Sequence, residues 1–210
     1  GDILNSSSSR GPHFSVQDLI KPDITAPGTN VLAADGSLGE IKWDIRSGTS
    51  MSSPFAAGAA ALLKSLHPSW SPAEIMSAMI TTAVLPVSLD GAGADAGPFD
   101  TGAGRLDVKQ AASAGFVLDD VPENYLAADP FLGGDPAGLN LASLALSRSG
   151  QQTSWSRTLK STQDQAVDWQ VSIVQPADAI LSVMPSSFTL PAGGSIELTV
   201  NADLSGMPVD

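Results

Sequence analysis

The residue in this sequence best suited to covalent chemistry is Ser50, in the stretch Gly48–Pro54 (GTSMSSP). An alanine-rich apolar run follows, with no charge before Lys64, and it predicts a buried helix that begins at the serine. Ser50 would lie in the first turn, where unpaired N–H groups and the helix dipole stabilise a developing negative charge. Pro54 suits a first turn, and small neighbours let another segment approach closely. These features favour a nucleophile; the alternative is an N-cap in a Gly/Ser-rich loop.

The whole stretch, leading into an apolar helix, resembles the active-site serine segment of the subtilisin-like serine proteases (subtilases, the peptidase S8 family). Ser50 matches the nucleophile of that segment. Further matching segments, in the family's order, are Ser8–Pro12, Lys21–Gly28, Leu66–Pro72, Gly102–Asp107 and Leu139–Ser143, the last resembling the opening of a β-sandwich in larger subtilases. The resemblance is densest over residues 6–83, extends to about 118, and is thinner after 139.

The family's catalytic Asp and His, and an Asn that helps to bind the oxyanion, belong to segments far upstream of the serine. Only 49 residues precede Ser50 here. Neither His13, His67 nor Asp23 stands in a segment that matches the family's base or orienting residue. A serine without a neighbouring base is a weak nucleophile. We therefore expect this chain to be an inactive C-terminal part of a protease. It could be a deliberately produced piece, a proteolytic product, one chain of a nicked enzyme, or the part that remains after an upstream portion was left out. The absence of an initiator Met agrees with this expectation.

The predicted fold class of the first part is α/β. Residues 1–118 are expected to form the C-terminal portion of a subtilisin-like parallel-sheet domain. Within it, the small apolar residues Val31–Ala34 predict a strand covered on both faces, and the alternation over Ile41–Ile45 predicts a hairpin strand. Pro68 ends the serine helix, and we expect His67 to interact with free carbonyls at that end rather than to act in catalysis.

A second helix and a second domain follow. Ser71, Pro72 and Glu74 predict a capping box. The apolar face of the helix comprises Ile75, Met76, Met79 and Ile80. Residues 119–138, rich in Asp and Pro, predict a linker. Its expected anchors are Tyr125, Leu126, Phe131 and Leu132. Period-two alternation over 139–210 predicts an antiparallel β-sandwich, similar to the fibronectin type III-like domain of large subtilases but truncated, with an open edge.

Composition narrows the classes of partner and cofactor. The net charge of −12 argues against nucleic acid, which binds basic faces. The acidity fits cation binding or, the reading we favour, a solvated surface. Asp90–Asp100 matches no complete calcium ligand set, so no cofactor is assigned, although calcium in the parent stays open. There is no cysteine and no apolar run of membrane-spanning length. The resemblance implies a secreted or extracellular parent, which we expect to be bacterial.

Two functions from different classes stay open. In the first, a serine endopeptidase, Ser50 attacks a peptide carbonyl to form an acyl-enzyme, and its backbone N–H contributes to the oxyanion hole, as the resemblance implies. Its partners would be polypeptide substrates and the missing N-terminal part of the catalytic domain. The second is a non-catalytic scaffold or binding module of a large extracellular protein. An α/β-hydrolase esterase is set aside because Ser52 replaces the second Gly of Gly-x-Ser-x-Gly.

A consequence for packing follows from the expected missing half. The helix over 56–66 and the strand over 31–34 would expose faces that the upstream half covers. The chain would then need an upstream partner, self-association or rearranged packing to be stable.

Overall fold

The computed structural model describes residues 2–36, 39, 42–90, 93–146 and 152–206. Its helices are α1 (Thr49–Leu66), α2 (Pro72–Thr81), α3 (Pro98–Thr101), α4 (Val108–Ala112) and α5 (Pro122–Ala127), with short 3-10 turns at Pro130–Leu132 and Pro136–Gly138. Its strands are β1 (Val31–Asp35), β2 (Lys42–Arg46), β3 (Phe116–Val117), β4 (Gln152–Ser161), β5 (Val167–Gln170), β6 (Ile180–Met184), β7 (Ser187–Leu190) and β8 (Ser195–Asp203). No helix in these ranges is long and apolar enough to cross a membrane.

Helix α1 is the alanine-rich helix that the sequence predicts. It begins at Thr49 after Gly48, which offers no side chain as a cap. Pro54 is the sixth residue of the helix, not part of its first turn as expected. Proline has no N–H, so Pro54 donates no hydrogen bond to the carbonyl of Ser50, one turn earlier. The helix ends at His67, whose N–H donates to the carbonyl of Leu63 at 2.8 Å.

One face of α1 packs in the core of the first half. The core cluster comprises Ala59, Leu63, Trp70, Ile75, Ala78, Met79, Leu106, Ala111, Ala114 and Val117. The adjoining face of α1 is open, because Leu62 and Leu66 are 59% and 62% exposed. The prediction that the serine helix exposes an apolar face in this chain is therefore confirmed.

Helix α2 has the predicted capping box. The N–H of Glu74 donates to Ser71 Oγ at 3.0 Å, and the N–H of Ser71 donates to Glu74 Oε2 at 2.8 Å. The other carboxylate oxygen of Glu74 accepts from Lys160 Nζ at 2.7 Å, which raises the pKa of Lys160. Glu74 is only 2% exposed, so the capping carboxylate also joins α2 to β4. Of the predicted apolar face, Ile75 and Met79 are buried while Met76 and Ile80 are half-buried.

The predicted strand over Val31–Ala34 forms as β1, and its faces are exposed in this chain, as expected without the upstream half. Strand β1 pairs only with β2, in an antiparallel hairpin that sets Leu32 opposite Ile45. Most of β1 and all of the described residues of β2 are exposed, so the cover on both faces that the residue types favour is not supplied by the described part of the chain. Among the described residues, parallel pairing is limited to isolated bridges between Ile3 and Ser88 and between Thr25 and Arg105.

The second half consists of two antiparallel sheets. One has the order β3-β4-β8-β6 and the other pairs β5 with β7. Side chains along β4 alternate between exposed and buried, with Trp155, Arg157, Leu159 and Ser161 inside. Residues of both sheets share a small core that comprises Leu118, Leu159, Leu198, Phe116, Ala142, Val171, Val183, Phe188 and Ile196. The period-two pattern thus predicts antiparallel strands from β4 onward, whereas the described residues 139–146 form no strand, and Arg157 is an unexpected inward residue.

The two halves are joined before the predicted linker begins. Strand β3 pairs with β4, so that Phe116 lies opposite Ser161. The N–H of Leu118 donates to Ser77 Oγ of α2 at 2.7 Å, in a buried contact. Trp169 packs edge-on against Phe116 with ring centroids 5.3 Å apart. The division at residues 118 and 138 stays a prediction, but the chain already enters the larger sheet at β3.

We expected large apolar side chains to anchor the segment over 119–138, but the structure shows that most of them are exposed. Leu126, Phe131 and Leu132 are 72%, 78% and 80% exposed. Polar contacts hold its ends instead. The amide of Asn140 donates to the carbonyls of Asp119 and Thr158, at 3.0 and 2.9 Å. These turns are short and Pro-containing, and each of the two 3-10 turns begins with an Asp that caps it, so they fold without an apolar core.

The free edge of β6 carries a side-chain amide in place of a neighbouring strand. Gln175 Nε2 donates to the carbonyl of Leu181 at 2.7 Å, and the N–H of Leu181 donates to Gln175 Oε1 at 2.8 Å. Both backbone groups of Leu181 are therefore satisfied within the chain. The expectation of a wholly open edge is corrected at this position, because Gln175 occupies the site that a further strand would need.

Arg157 holds the segment before β4 in place. The residue is 7% exposed, and its guanidinium donates to the carbonyls of Leu141, Ala137, Ser156 and Ser143. Burial lowers the pKa of Arg157, and the charge of Asp120 opposes that effect. The arginine thus replaces apolar packing where this segment meets the sheet.

We expect Arg157→Ala to lower the free energy of unfolding by ~2–4 kcal/mol, because buried carbonyls lose their donor. Urea unfolding of the chain measures this change. Arg46→Ala is the matched control: Arg46 is exposed and pairs with Asp35 and Asp44, and such surface ion pairs contribute at most about 1 kcal/mol. Equal losses for the two variants would show that the carbonyl contacts of Arg157 add nothing.

Candidate active site

Ser50 lies where the sequence predicts it, in the first turn of an 18-residue helix. It is the second helical residue, and it is exposed. The first N–H groups of a helix have no carbonyl partner within it, and the helix dipole makes this end positive. The backbone around Ser50 therefore has the polarity that stabilises an oxyanion.

Gly48 fixes the start of this helix. It has φ 152°, in a region that favours glycine, and its carbonyl accepts from the N–H groups of Met51 and Ser52 at 3.0 and 3.4 Å. Its own N–H donates to the carbonyl of Gly28 at 2.8 Å. The turn that ends at Gly28 therefore contacts the helix directly beside Ser50, as the small residues around the serine allow.

A second set of contacts holds that turn. The N–H of Thr25 donates to the carbonyl of Gly104, and the N–H of Leu106 donates to the carbonyl of Thr25, both at 2.8 Å. The N–H of Ala103 donates to the carbonyl of Asp23 at 3.0 Å. Two segments that match the same family, Lys21–Gly28 and Gly102–Asp107, thus pack on each other and together support the start of α1.

A cavity of about 520 Å³ lies beside the first turn of α1. Its walls come from residues 2–5 and 7–9, from Pro22 and the turn over 24–29, from Gly48, Thr49, Ser52, Ser53 and Ala56 of the serine segment, and from Val87 and Arg105. Ser50 does not line this cavity.

Neither histidine is placed to activate Ser50. His13 is exposed, and its Nδ1 accepts from the N–H groups of Ser15 and Val16. His67 lies at the other end of α1, ~25 Å along the helix axis from Ser50. Its Nε2 lies 2.9 Å from the carbonyl oxygen of Ala112, and its ring stacks on Trp70 at 3.8 Å. His67 is thus structural, as expected, but its ring contacts α4 rather than the free carbonyls of its own helix.

The carboxylate of Asp23 is also held in an ion pair, with Lys21. Both of its carboxylate oxygens accept from Lys21 Nζ, at 2.9 and 2.7 Å. Among the described residues, the side-chain hydrogen bonds of His13, His67 and Asp23 all join groups other than the hydroxyl of Ser50. The structure therefore brings together a serine, a helix N-terminus and a supporting turn, but it places no base beside them.

The Ser8–Pro12 segment is held by an ion pair. Arg10 pairs with Asp100, and the N–H of Gly11 donates to the carbonyl of Phe99 at 2.8 Å. The N–H of Gly97 and the guanidinium of Arg10 lower the pKa of Asp100 below its ordinary value. The carboxylate of Asp100 therefore binds the Ser8–Pro12 segment through Arg10 and caps α3 through the N–H of Gly97.

Among the residues that the structure describes, no group of three or more His, Cys, Asp or Glu side chains is arranged to hold a metal ion. In the Asp90–Asp100 segment, Asp90 accepts from the N–H of Ala94 at 3.3 Å. Residues 91 and 92 of this segment lie outside the described ranges.

Comparison with known proteins identifies relatives across the first half. The model of the subtilase family, Peptidase_S8, matches residues 2–117. Subtilisin-like protease SBT1.3 of Arabidopsis thaliana is 42% identical over 139 residues, which cover 59% of this chain and 18% of that protein. Subtilisin-like protease SBT3.2 of the same plant is 44% identical over 129 residues, covering 57% of this chain and 18% of the relative. The chain therefore spans less than a fifth of the length of these curated relatives.

A solved structure overlaps more loosely. Fervidolysin from Fervidobacterium pennivorans, described as a keratinolytic enzyme related to subtilisin, is 18% identical and has a TM-score of 0.33, covering 82% of this chain and 22% of the other. An overlap at that score does not define a shared fold. The curated relatives come from a plant, so they give no support to the expected bacterial origin.

Proposed function

Because this chain belongs to the subtilase family, we propose that it is the C-terminal part of the catalytic domain of a serine-type endopeptidase whose nucleophile is Ser50. One observation supports this function above the others: Ser50 is exposed in the first turn of a long helix whose start is held by Gly48 and Gly28. An N-cap serine would precede the helix, whereas Ser50 is inside it.

The proposed chemistry is acyl transfer. Ser50 Oγ attacks the carbonyl carbon of a peptide bond, the amine leaves, and water hydrolyses the resulting ester. The backbone N–H of Ser50 donates to the oxyanion of the tetrahedral intermediate. The base that accepts the proton of the hydroxyl, and the group that orients that base, come from upstream sequence. His13 and His67 have structural contacts and are not assigned to this role.

The remaining features of the parent follow from the same proposal. Its substrates are polypeptides, and it is secreted, as subtilases commonly are. The upstream part of the catalytic domain, including the rest of a parallel sheet, covers Leu62, Leu66 and the outer face of β1. Without that partner the chain self-associates through these surfaces. The two antiparallel sheets form a fibronectin type III-like sandwich behind the catalytic domain.

A fluorophosphonate probe, which reacts with activated serines, tests the proposal. We expect the full-length parent to be labelled at Ser50 and this 210-residue chain to remain unlabelled, because only the parent supplies a base. Gel fluorescence gives the labelling, and peptide mass spectrometry gives the site. Labelling of this chain alone would mean that a base lies within it. A folded parent that does not react would instead favour a non-catalytic scaffold.

A further inference from the structure

We propose that Gly28 is a positioning residue for Ser50: its carbonyl and its lack of a side chain set where the nucleophile's helix begins. This inference rests on the proposed function, since it needs Ser50 to be the nucleophile. It adds a residue that touches no substrate and acts through the backbone of Gly48.

Hydrogen bonds join Gly28 to the first turn of α1 in two steps. The carbonyl of Gly28 accepts from the N–H of Gly48, at 2.8 Å. The carbonyl of Gly48 in turn accepts from the N–H groups of Met51 and Ser52. Ser50 lies between these residues in the chain. A displacement of Gly48 therefore moves the backbone that carries the serine hydroxyl and the N–H of the proposed oxyanion site.

The packing at Gly28 leaves no room for a methyl group. A Cβ there would lie 2.1 Å from Ser52 Oγ and 2.8 Å from the carbonyl oxygen of Gly48. The serine hydroxyl can turn away by rotating about χ1. The Gly48 oxygen cannot, because it belongs to the backbone that begins α1. Relief of that second contact requires the turn or the helix start to move.

The expected consequence is on the chemical step. A misplacement of about 1 Å at a reacting group costs ~10²-fold in rate, because the attack geometry is lost. Gly28→Ala should therefore lower kcat by ~10- to 100-fold in the full-length parent. The Michaelis constant should stay within about twofold, because Gly28 contributes no side chain to substrate binding.

The experiment compares three variants of the full-length parent on a peptide substrate, with rates expressed per active site titrated by the fluorophosphonate. They are Gly28→Ala, the double variant Gly28→Ala/Ser52→Ala, and Gly138→Ala. Gly138 lies outside α1, and a Cβ there meets nothing within 4 Å, so it carries the same substitution without a contact. We expect Gly138→Ala to match the wild type, and both Gly28→Ala and the double variant to lose kcat, because the contact with the Gly48 oxygen is present in both.

Titration of active sites separates positioning from stability, since a protein that is merely destabilised has fewer sites but the same kcat per site. Should Gly28→Ala fail to fold, the double variant, which lacks the shorter contact, takes its place with the same direction of effect. An unchanged kcat, a loss confined to KM, or failure of both variants to fold would overturn the inference. A wild-type parent that cleaves no peptide would instead remove the proposed function itself.

Discussion

Replacing Ser50 by alanine in the full-length parent is expected to lower kcat for peptide hydrolysis by ~10⁶-fold, because loss of the nucleophile from a serine-protease triad has an effect of this size. The acyl-enzyme does not form without the hydroxyl. Substrate binding should persist, since a peptide binds through contacts spread along the cleft. The measurements are kcat from steady-state hydrolysis and covalent labelling by a fluorophosphonate, which should both disappear together.

Ser65→Ala is the matched control for this experiment. Ser65 lies in the same helix and is exposed, but it is ~22 Å from Ser50 along the axis. It should leave both readouts unchanged. If Ser50→Ala retained more than about a hundredth of the wild-type kcat, another residue would be the nucleophile, and the assignment of Ser50 would be wrong.

The local part of this site can be predicted from sequence. The Ala-rich run predicts α1, and Ser71, Pro72 and Glu74 predict the capping box of α2, because helix propensity and capping depend on residues within one or two turns. For the same reason, the position of Ser50 in the first turn follows from its neighbours. Pro54, in contrast, lies beyond the first turn, as the sixth residue of the helix.

Contacts between distant segments are not encoded in any short window. Gly28 stands in a recognisable turn, but nothing local indicates that its carbonyl meets Gly48. Arg157 occupies an inward position of β4 that binary patterning assigns to an apolar residue. Three of its four carbonyl partners, those of Ala137, Leu141 and Ser143, lie in the irregular segment before β4, so only the assembled fold reveals why a charge is buried there.

The expected anchors of the 119–138 segment are exposed for a physical reason. Apolar character predicts burial for Leu126, Phe131 and Leu132, but a chain buries such residues only where another element covers them, and none of the described elements does so. The open faces of α1 and β1 are predicted correctly, because there the resemblance supplies the identity of the covering part.

The largest effect on stability is expected at Gly102, which connects α3 to the segment that supports the Lys21–Gly28 turn. Gly102 has φ 61°, and a Cβ there would lie 2.3 Å from both the carbonyl carbon and the oxygen of Asp23. With ψ −131°, this backbone conformation costs a residue with a Cβ ~1–3 kcal/mol, and overpacking adds ~1–3 kcal/mol. Gly102→Ala should therefore lower the free energy of unfolding by ~2–6 kcal/mol, measured by urea denaturation.

Gly133→Ala separates the two causes of this loss. Gly133 has φ 86°, but a Cβ there meets no atom within 4 Å, so its substitution carries the backbone cost alone, ~1–2 kcal/mol. Because ψ is −131° at Gly102 and 13° at Gly133, the difference between the two variants measures the contact with Asp23 together with the less favourable backbone of Gly102. If both variants lost the same free energy, the backbone of Asp23 would yield without cost. The Gly102–Asp107 segment would then be too soft to hold the turn beneath Ser50, whereas a larger loss at Gly102 shows a rigid support.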